Sequence, residues 1–320
     1  MKNENPIIKN FQNSLDFFAM NKFRVWLDAF RLRTLPLALS SAILGSFLAY
    51  AEGVFNPTVF ILAISTTVFL QILSNLANDF GDSQNGVDNA ERLGPERTVQ
   101  SGKISKTEMK RLIAVFVLLS FISGGLLILT GIRNANIGLI VLFFVLGIAS
   151  IVAAIKYTVG KNPYGYSGFG DLFVFIFFGL VGVCGTFFLH TNHFHFSLLL
   201  PAASVGLLSA GVLNLNNMRD IENDAASGKK TLVVRMGSEY AKLYHTLLIV
   251  LSMVLSVIFV IDTWKSIYQL MFLLSVFPLA FHLYEVFKNH VPQKLNNQLK
   301  VLALTTFFFS VTYSIGILLT

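Results

Sequence analysis

Ten of the seventeen acidic residues of this 320-residue chain fall in two short stretches, six between Asp79 and Glu108 and four between Asp220 and Glu239. The first stretch opens Asn75-Leu-Ala-Asn78-Asp79-Phe-Gly-Asp82 and runs on to Asp88. The second reads Asn214-Leu-Asn216-Asn217-Met-Arg219-Asp220-Ile-Glu222-Asn223-Asp224. On a helix, Asn75, Asp79 and Asp82 fall at i, i+4 and i+7, and Asn216, Asp220 and Asp224 at i, i+4 and i+8, so each set shares one face. Carboxylates at neighbouring helical positions repel one another, and a divalent cation removes that penalty. All-oxygen donors from Asp and Asn suit a hard ion, Mg²⁺ more than Zn²⁺, and Mg²⁺ held by few carboxylates ordinarily takes phosphate oxygens as well. A solvated acid at a helix exit is the ordinary explanation of any one of these residues. Two matched sets favour a shared site.

Cations follow both groups. Gly94-Pro95-Glu96-Arg97-Thr98-Val99-Gln100-Ser101-Gly102-Lys103 comes after the first, and Gly228-Lys229-Lys230-Thr231, then Arg235, after the second. Metal-holding carboxylates with Lys and Arg beside them describe a site for a phosphorylated anion. Setting membrane topology is the competing role for such cations. No GxxxxGK[ST] is present, which disfavours NTP hydrolysis. No Ser-His-Asp or Cys-His set is evident, and Cys184, the one cysteine, excludes an intrachain disulfide framework and reads as small apolar packing.

The elements that must position these residues are membrane helices. Apolar residues make up 54% of the chain and charged ones 13%, about half the share in a soluble protein. Uncharged runs long enough to span a bilayer number nine once the Asp171–Arg219 run is divided at His190–His195. With the N-terminus inside, 22 of the 24 Lys/Arg lie on the inner side and only Arg133 and Lys265 outside, which predicts a cytoplasmic N-terminus and both acidic groups at the cytoplasmic ends of spans 2 and 6. That excess suits anionic headgroups or substrates, and without a soluble domain nucleic acid is a poor partner. His190, His193 and His195 fall in an outer loop, away from the acids. The run after Thr34, ending Ala49-Tyr50-Ala51, imitates a cleaved secretory signal, but its long leading segment and eight further spans argue against cleavage. Residues 1–33 read as a cytoplasmic tail and 34–320 as one nine-helix domain.

These residues resemble the UbiA-type intramembrane aromatic prenyltransferases, whose signatures are an NDxxD-type motif after the second helix and DxxxD after the sixth. Here they read Asn78-Asp79-Phe-Gly-Asp82 and Asp220-Ile-Glu-Asn-Asp224. Gly94 to Gly102, Gly165-Tyr166-Ser-Gly-Phe-Gly-Asp171 through Gly179, and Asn216-Asn217-Met-Arg219-Asp220 through Leu232 resemble the branch acting on 1,4-dihydroxy-2-naphthoate. The resemblance runs from about Arg31 to Gly237. Leu32, where relatives often have Pro, and Lys161-Asn162, where they tend to be Gly-rich, depart from it.

The resemblance implies an all-α fold of nine spans around a central cavity, with the Asp motifs facing each other across its cytoplasmic mouth. Mg²⁺ would join Asp79, Asp82, Asp220 and Asp224, with Asp88 matching less securely, to the diphosphate of a polyprenyl donor, while Arg97, Lys229 and Lys230 stabilise the departing diphosphate. Substrate contacts are expected from Asn75, Asn78, Asn217, Arg219, Lys156 and Asp171. Tyr157, Tyr164 and Tyr166 would line an aromatic-acceptor pocket or belong to the interfacial belt. The chain would then be a lipid-embedded enzyme transferring a polyprenyl group to the naphthoate with loss of CO₂, in the cytoplasmic membrane, with no obligatory protein partner. Another aromatic acceptor, 4-hydroxybenzoate, homogentisate or a tetrapyrrole, is the alternative within the family. A secondary transporter would place its polar groups near mid-bilayer, whereas these acids sit at span ends.

Overall fold

A computed structural model describes residues 22–87, 93–133 and 136–320. Among them, nine helices are long and apolar enough to cross a membrane: α1 (Lys22–Ala51), α2 (Pro57–Gln84), α3 (Lys106–Gly131), α4 (Ile137–Lys156), α5 (Gly170–Thr191), α6 (Phe196–Arg219), α7 (Leu232–Asp262), α8 (Ile267–Lys288) and α9 (Pro292–Leu318). The all-α, nine-span reading of the sequence therefore holds, as does the division at His190–His195, where α5 ends against Asn192 in a left-handed conformation, φ 60°.

Local chemistry explains the helix starts. The Asn56 side chain accepts from the amides of Thr58 and Val59 with Pro57 behind it, and Ser105, Asn136 and Thr231 cap α3, α4 and α7 in the same way. These acceptors satisfy amides that have no partner within the helix, most valuable where water is scarce. Two helices are broken internally. Arg31 takes φ 50° and sends α1 through a 3₁₀ turn at Leu32–Thr34, directly at the Leu32 departure, and Gly237 at φ 79° kinks α7. Residues 22–30, placed in the tail by the sequence, are helical and dock on α3, where Trp26 Nε1 and Lys22 Nζ both reach Glu108, at 3.2 and 3.1 Å.

Burial separates the helices into two kinds. α6 and α9 are the most enclosed, whereas α4 has almost no fully buried residue and carries, with α3 and α7, exposed apolar residues such as Leu118, Leu129, Val145 and Leu247 that suit contact with lipid tails. α5 reaches α6 through glycine: a Cβ on Gly179 would lie 2.6 Å from the Ala202 carbonyl oxygen, and one on Gly206 2.8 Å from that of Phe175. This close crossing coincides with a π-helical stretch, Phe175–Cys184, inside α5.

Loops alternate between the two ends of the bundle. At one end, Glu52 meets His193 and His195, and the Arg133 amide donates to Asn192. At the other, Asn85 Nδ2 donates to the Thr158 carbonyl, Asn223 Nδ2 to that of Val87 and Asn296 Nδ2 to that of Leu93. Both acidic groups lie at this second, stitched end.

Candidate active site

α2 carries its acids one turn apart into the buried floor of the stitched end. Asp79 is 1% and Asp82 5% exposed, yet their surroundings differ. Asp79 Oδ2 accepts from the Thr98 amide at 3.1 Å and its hydroxyl at 2.6 Å, and Oδ1 from the Val99 amide at 3.3 Å. Asp79 thus pins the loop that carries Arg97 onto α2. Asp82 faces cations: its Oδ2 lies 3.3 Å from Arg97 Nη2, and its Oδ1 accepts from the Tyr166 hydroxyl at 2.6 Å and lies 3.6 Å from Lys229 Nζ.

On the α6 side the acids do not share one continuous helix face, as the sequence spacing suggested. α6 stops at Arg219, Asp220 is a junction residue with φ −98° and ψ 13°, and a short helix, Ile221–Ala226, carries Asp224 onward. The reason is local: Arg219 folds onto its own neighbour, with Nε 2.9 Å from Asp220 Oδ1 and Nη2 on Oδ2, and anchors itself through Nη2 to Asn216 and Nη1 to Asn296, both at 2.9 Å. Asp224, turned away from this cluster, lies 3.3 Å from Lys229 Nζ. Burial pushes its carboxyl up to about 6, with Asp220 and Asp82 adding to the rise and Lys229 opposing it.

The two acidic segments therefore meet through one ammonium group, Lys229 Nζ, between Asp82 and Asp224. Lys229 also stands 4.6 Å over the Tyr166 ring, and the Lys230 amide donates to the Tyr166 carbonyl at 2.7 Å. The Lys230 side chain is exposed, and Asp88 lies outside the described residues.

Other residues singled out by type are placed differently. Asn75 Nδ2 donates to the Phe30 carbonyl at 2.9 Å and to Thr34 Oγ1 at 3.0 Å, holding the α1 break, and Asn78 accepts from Thr158 Oγ1 at 3.3 Å. Asn217 is buried on the α6 face leading to Asp220, and Lys156 ends α4 beside Gly160. The three tyrosines separate. The Tyr164 hydroxyl donates to the Ala153 carbonyl at 2.8 Å and its ring stacks on Phe173 at 4.1 Å, a packing role. Tyr157 is half-buried against Tyr164, and desolvation with Asp171 nearby holds its phenol well above the usual range, so that it stays protonated. Tyr166 belongs to the acid–cation cluster. Asp171, 5% exposed and with Oδ2 unpartnered, lines a cavity of about 280 Å³ with Phe175, Leu207, Tyr244 and Leu248. Sequence reasoning missed Thr98 and Tyr244. Thr98 lay inside a noted motif, but nothing in the spacing tied it to Asp79.

Among the described residues no three His, Cys, Asp or Glu side chains converge as a formed metal cluster. The Asp82–Asp224 pair nonetheless suits a hard cation: both side chains are buried, both are oxygen donors, and both already share one positive group, Lys229, 13% exposed. His190, His193 and His195 are at the opposite end, His193 and His195 held by Glu52 at 2.7 and 2.8 Å.

Fold and site together define a multi-pass helical membrane protein with a buried acid-and-cation cluster suited to a metal-bound polyanion. Residues 38–311 match the model of the UbiA prenyltransferase family, and the chain belongs to that family. It is 42% identical, over 93% of its length and 97% of theirs, to a 1,4-dihydroxy-2-naphthoate octaprenyltransferase of Haemophilus influenzae. Identity to the protein of the same name from Escherichia coli is 44%, over 80% of this chain and 82% of that one. Among solved structures, a UbiA homolog from Aeropyrum pernix superposes with a TM-score of 0.66 at 18% identity, covering 90% of this chain and 98% of that one. One from Archaeoglobus fulgidus, bound to GPP and Mg²⁺, gives 0.61 at 15%, covering 91% and 100%.

Proposed function

We propose that this protein transfers a polyprenyl group from polyprenyl diphosphate to 1,4-dihydroxy-2-naphthoate in menaquinone biosynthesis, releasing diphosphate and CO₂ and giving demethylmenaquinol. The observation that carries the reading is the buried Asp82–Lys229–Asp224 bridge with Arg97 at its edge. The likeness to two proteins of that name, over 93% and 80% of this chain, supports the choice of acceptor.

Mg²⁺ is the proposed metal, held by Asp82 and Asp224; it would neutralise the diphosphate and so make it a better leaving group. Asp79 and Asp220, which already accept from Thr98 and Arg219, are proposed as further ligands, as is Asp88. Arg97, Lys229 and Lys230 bind the diphosphate oxygens, and the first two stabilise the charge that grows as the allylic C–O bond breaks. The apolar interior keeps water from the allylic cation. The naphthoate carbon bearing the carboxylate then forms the new C–C bond, and the electrons of the broken bond to CO₂ restore the aromatic ring. Asp171 and the protonated Tyr157 flank the space proposed for that ring, with Asn78, Asn217 and Lys156 around it. Arg219 orients Asp220 and Asn75 fixes the α1 break, so both act at one remove from substrate.

Residues 34–320 form the proposed catalytic domain and 1–33 its N-terminal segment. The Lys/Arg excess supports a cytoplasmic N-terminus and a cytoplasmic site mouth in the cell's inner membrane. Purified protein given one polyprenyl diphosphate, Mg²⁺ and in turn the naphthoate, 4-hydroxybenzoate and homogentisate should prenylate only the first, with release of CO₂. Absence of naphthoate product, or a better rate with another ring, refutes the assignment.

A further inference from the structure

The function proposed above uses Lys229 as a diphosphate ligand, yet its ammonium stands where a metal would, 3.3 Å from Asp224 and 3.6 Å from Asp82. Four features keep it there. The backbone reverses at Gly228, φ 75°, and returns the Lys229 amide to the Asp224 carbonyl at 2.9 Å. The next amide, of Lys230, is tied to the Tyr166 carbonyl. The Tyr166 ring lies under the ammonium, and its hydroxyl holds the same Asp82 carboxylate. All three charged side chains are nearly shielded from water, so both the attraction within the trio and the repulsion between the two acids are poorly screened.

We infer that Lys229 is a resident counter-ion that reserves the Asp82–Asp224 site, so that the divalent cation enters together with diphosphate and binds weakly without it. A cation arriving unaccompanied must displace an ammonium from both carboxylates and leave it buried beside a second positive charge. A cation arriving with diphosphate brings the displaced lysine a new partner. The flexible four-carbon stem lets Lys229 pass from carboxylate to phosphate oxygens, which a planar guanidinium held in a fork would do less readily. Metal and diphosphate thereby become thermodynamically coupled, each tightening the other by the same factor. Arg97, on the other oxygen of Asp82, is held by a loop that Asp79 pins and does not bridge to Asp224.

The inference rests on the acid cluster being the metal–diphosphate site, and its test separates the two. Binding of Mn²⁺ to the full-length protein in detergent is measured by electron paramagnetic resonance, with metal alone and with saturating inorganic diphosphate, against protein-free samples at the same diphosphate concentration. Wild-type protein should bind Mn²⁺ at least about tenfold more tightly with diphosphate, within the usual range of coupling between two sites. Lys229→Met should bind Mn²⁺ alone about tenfold more tightly than wild type and lose most of the diphosphate dependence. Lys103→Met removes the same charge from an exposed residue that is paired with Glu96, outside the acid cluster, and should bind as wild type does. Equal wild-type affinity with and without diphosphate overturns the inference without recourse to any variant. So does a Lys229→Met protein that binds metal alone no better than wild type, or no better than Lys103→Met. If no protein binds Mn²⁺ under either condition, the metal-site reading itself falls, and the inference with it.

Discussion

The two aspartate motifs look alike in sequence and are built on the same plan in space, but within each motif the two acids have different employment. The first acid, Asp79 or Asp220, spends both oxygens on its own framework, the Thr98–Val99 backbone in one case and the Arg219 guanidinium in the other. The second, Asp82 or Asp224, turns toward the other motif and shares Lys229 with it. Position along the chain sets the division, along α2 in the first motif and across the Asp220 junction in the second. The second acid lies a turn further from the membrane-spanning part, where it can reach across to the opposite segment. An aspartate in such a motif is therefore defined by which partner its position lets it meet, more than by its membership of the motif.

The sharpest way to break this comparison is to remove the second acids. Asp82→Ala and Asp224→Ala should each nearly abolish formation of prenylated naphthoate while leaving a monodisperse protein. Retention of full activity by either would dissolve the distinction between first and second acids.

Next in size is the loop cation. Arg97 is buried against Asp82, whereas Lys103 is exposed and paired with Glu96 at 2.7 Å. Arg97→Gln should lower kcat by roughly 10²–10³-fold with a smaller change in KM, the loss expected of one donor that stabilises developing charge. Lys103→Gln should stay within about twofold of wild type. Equal, mild effects at both would mean that the cations serve topology alone.

The smallest effect sharpens the framework role of the first acids. Thr98→Val removes the hydroxyl bond to Asp79 and keeps the amide bond, and should cost about 1.5–3 kcal/mol of stability, as for a hydrogen bond to a charged group. Thermal unfolding of the detergent-solubilised protein should register this loss, with kcat falling less than in Arg97→Gln. A variant of unchanged stability with activity as low as Arg97→Gln would place Asp79 among the reacting groups instead.

Hydropathy made the helices legible because a bilayer imposes length and composition on every span, and charged residues such as Arg111 and Arg133 mark the limits of the uncharged runs. The same apolarity hides backbone register. Nothing in the run from Phe175 to Cys184 distinguishes α from π hydrogen bonding, and the α1 break at Arg31 is carried by a non-glycine residue in a left-handed conformation. The clusters of acids were legible as types at spacings, but their division of labour depends on groups far away in the chain. Thr98 lies 19 residues after Asp79 and Tyr166 84 residues after Asp82. Tyr164 and Tyr166 could not be told apart in sequence because the 3₁₀ turn Tyr164–Ser167 sends one phenol to the α4 backbone and the other to Asp82.

The stitches across the acidic end have an evolutionary consequence. Asn85, Asn223 and Asn296 each hold a neighbouring loop by its main-chain carbonyl, at Thr158, Val87 and Leu93. A carbonyl is common to all twenty amino acids, so the loop's side chains can be exchanged without loosening its attachment. Substrate preference can then drift by substitution in the loops while the asparagines preserve the frame. A lineage could change the ring it alkylates or the length of the chain it carries with few compensating changes elsewhere.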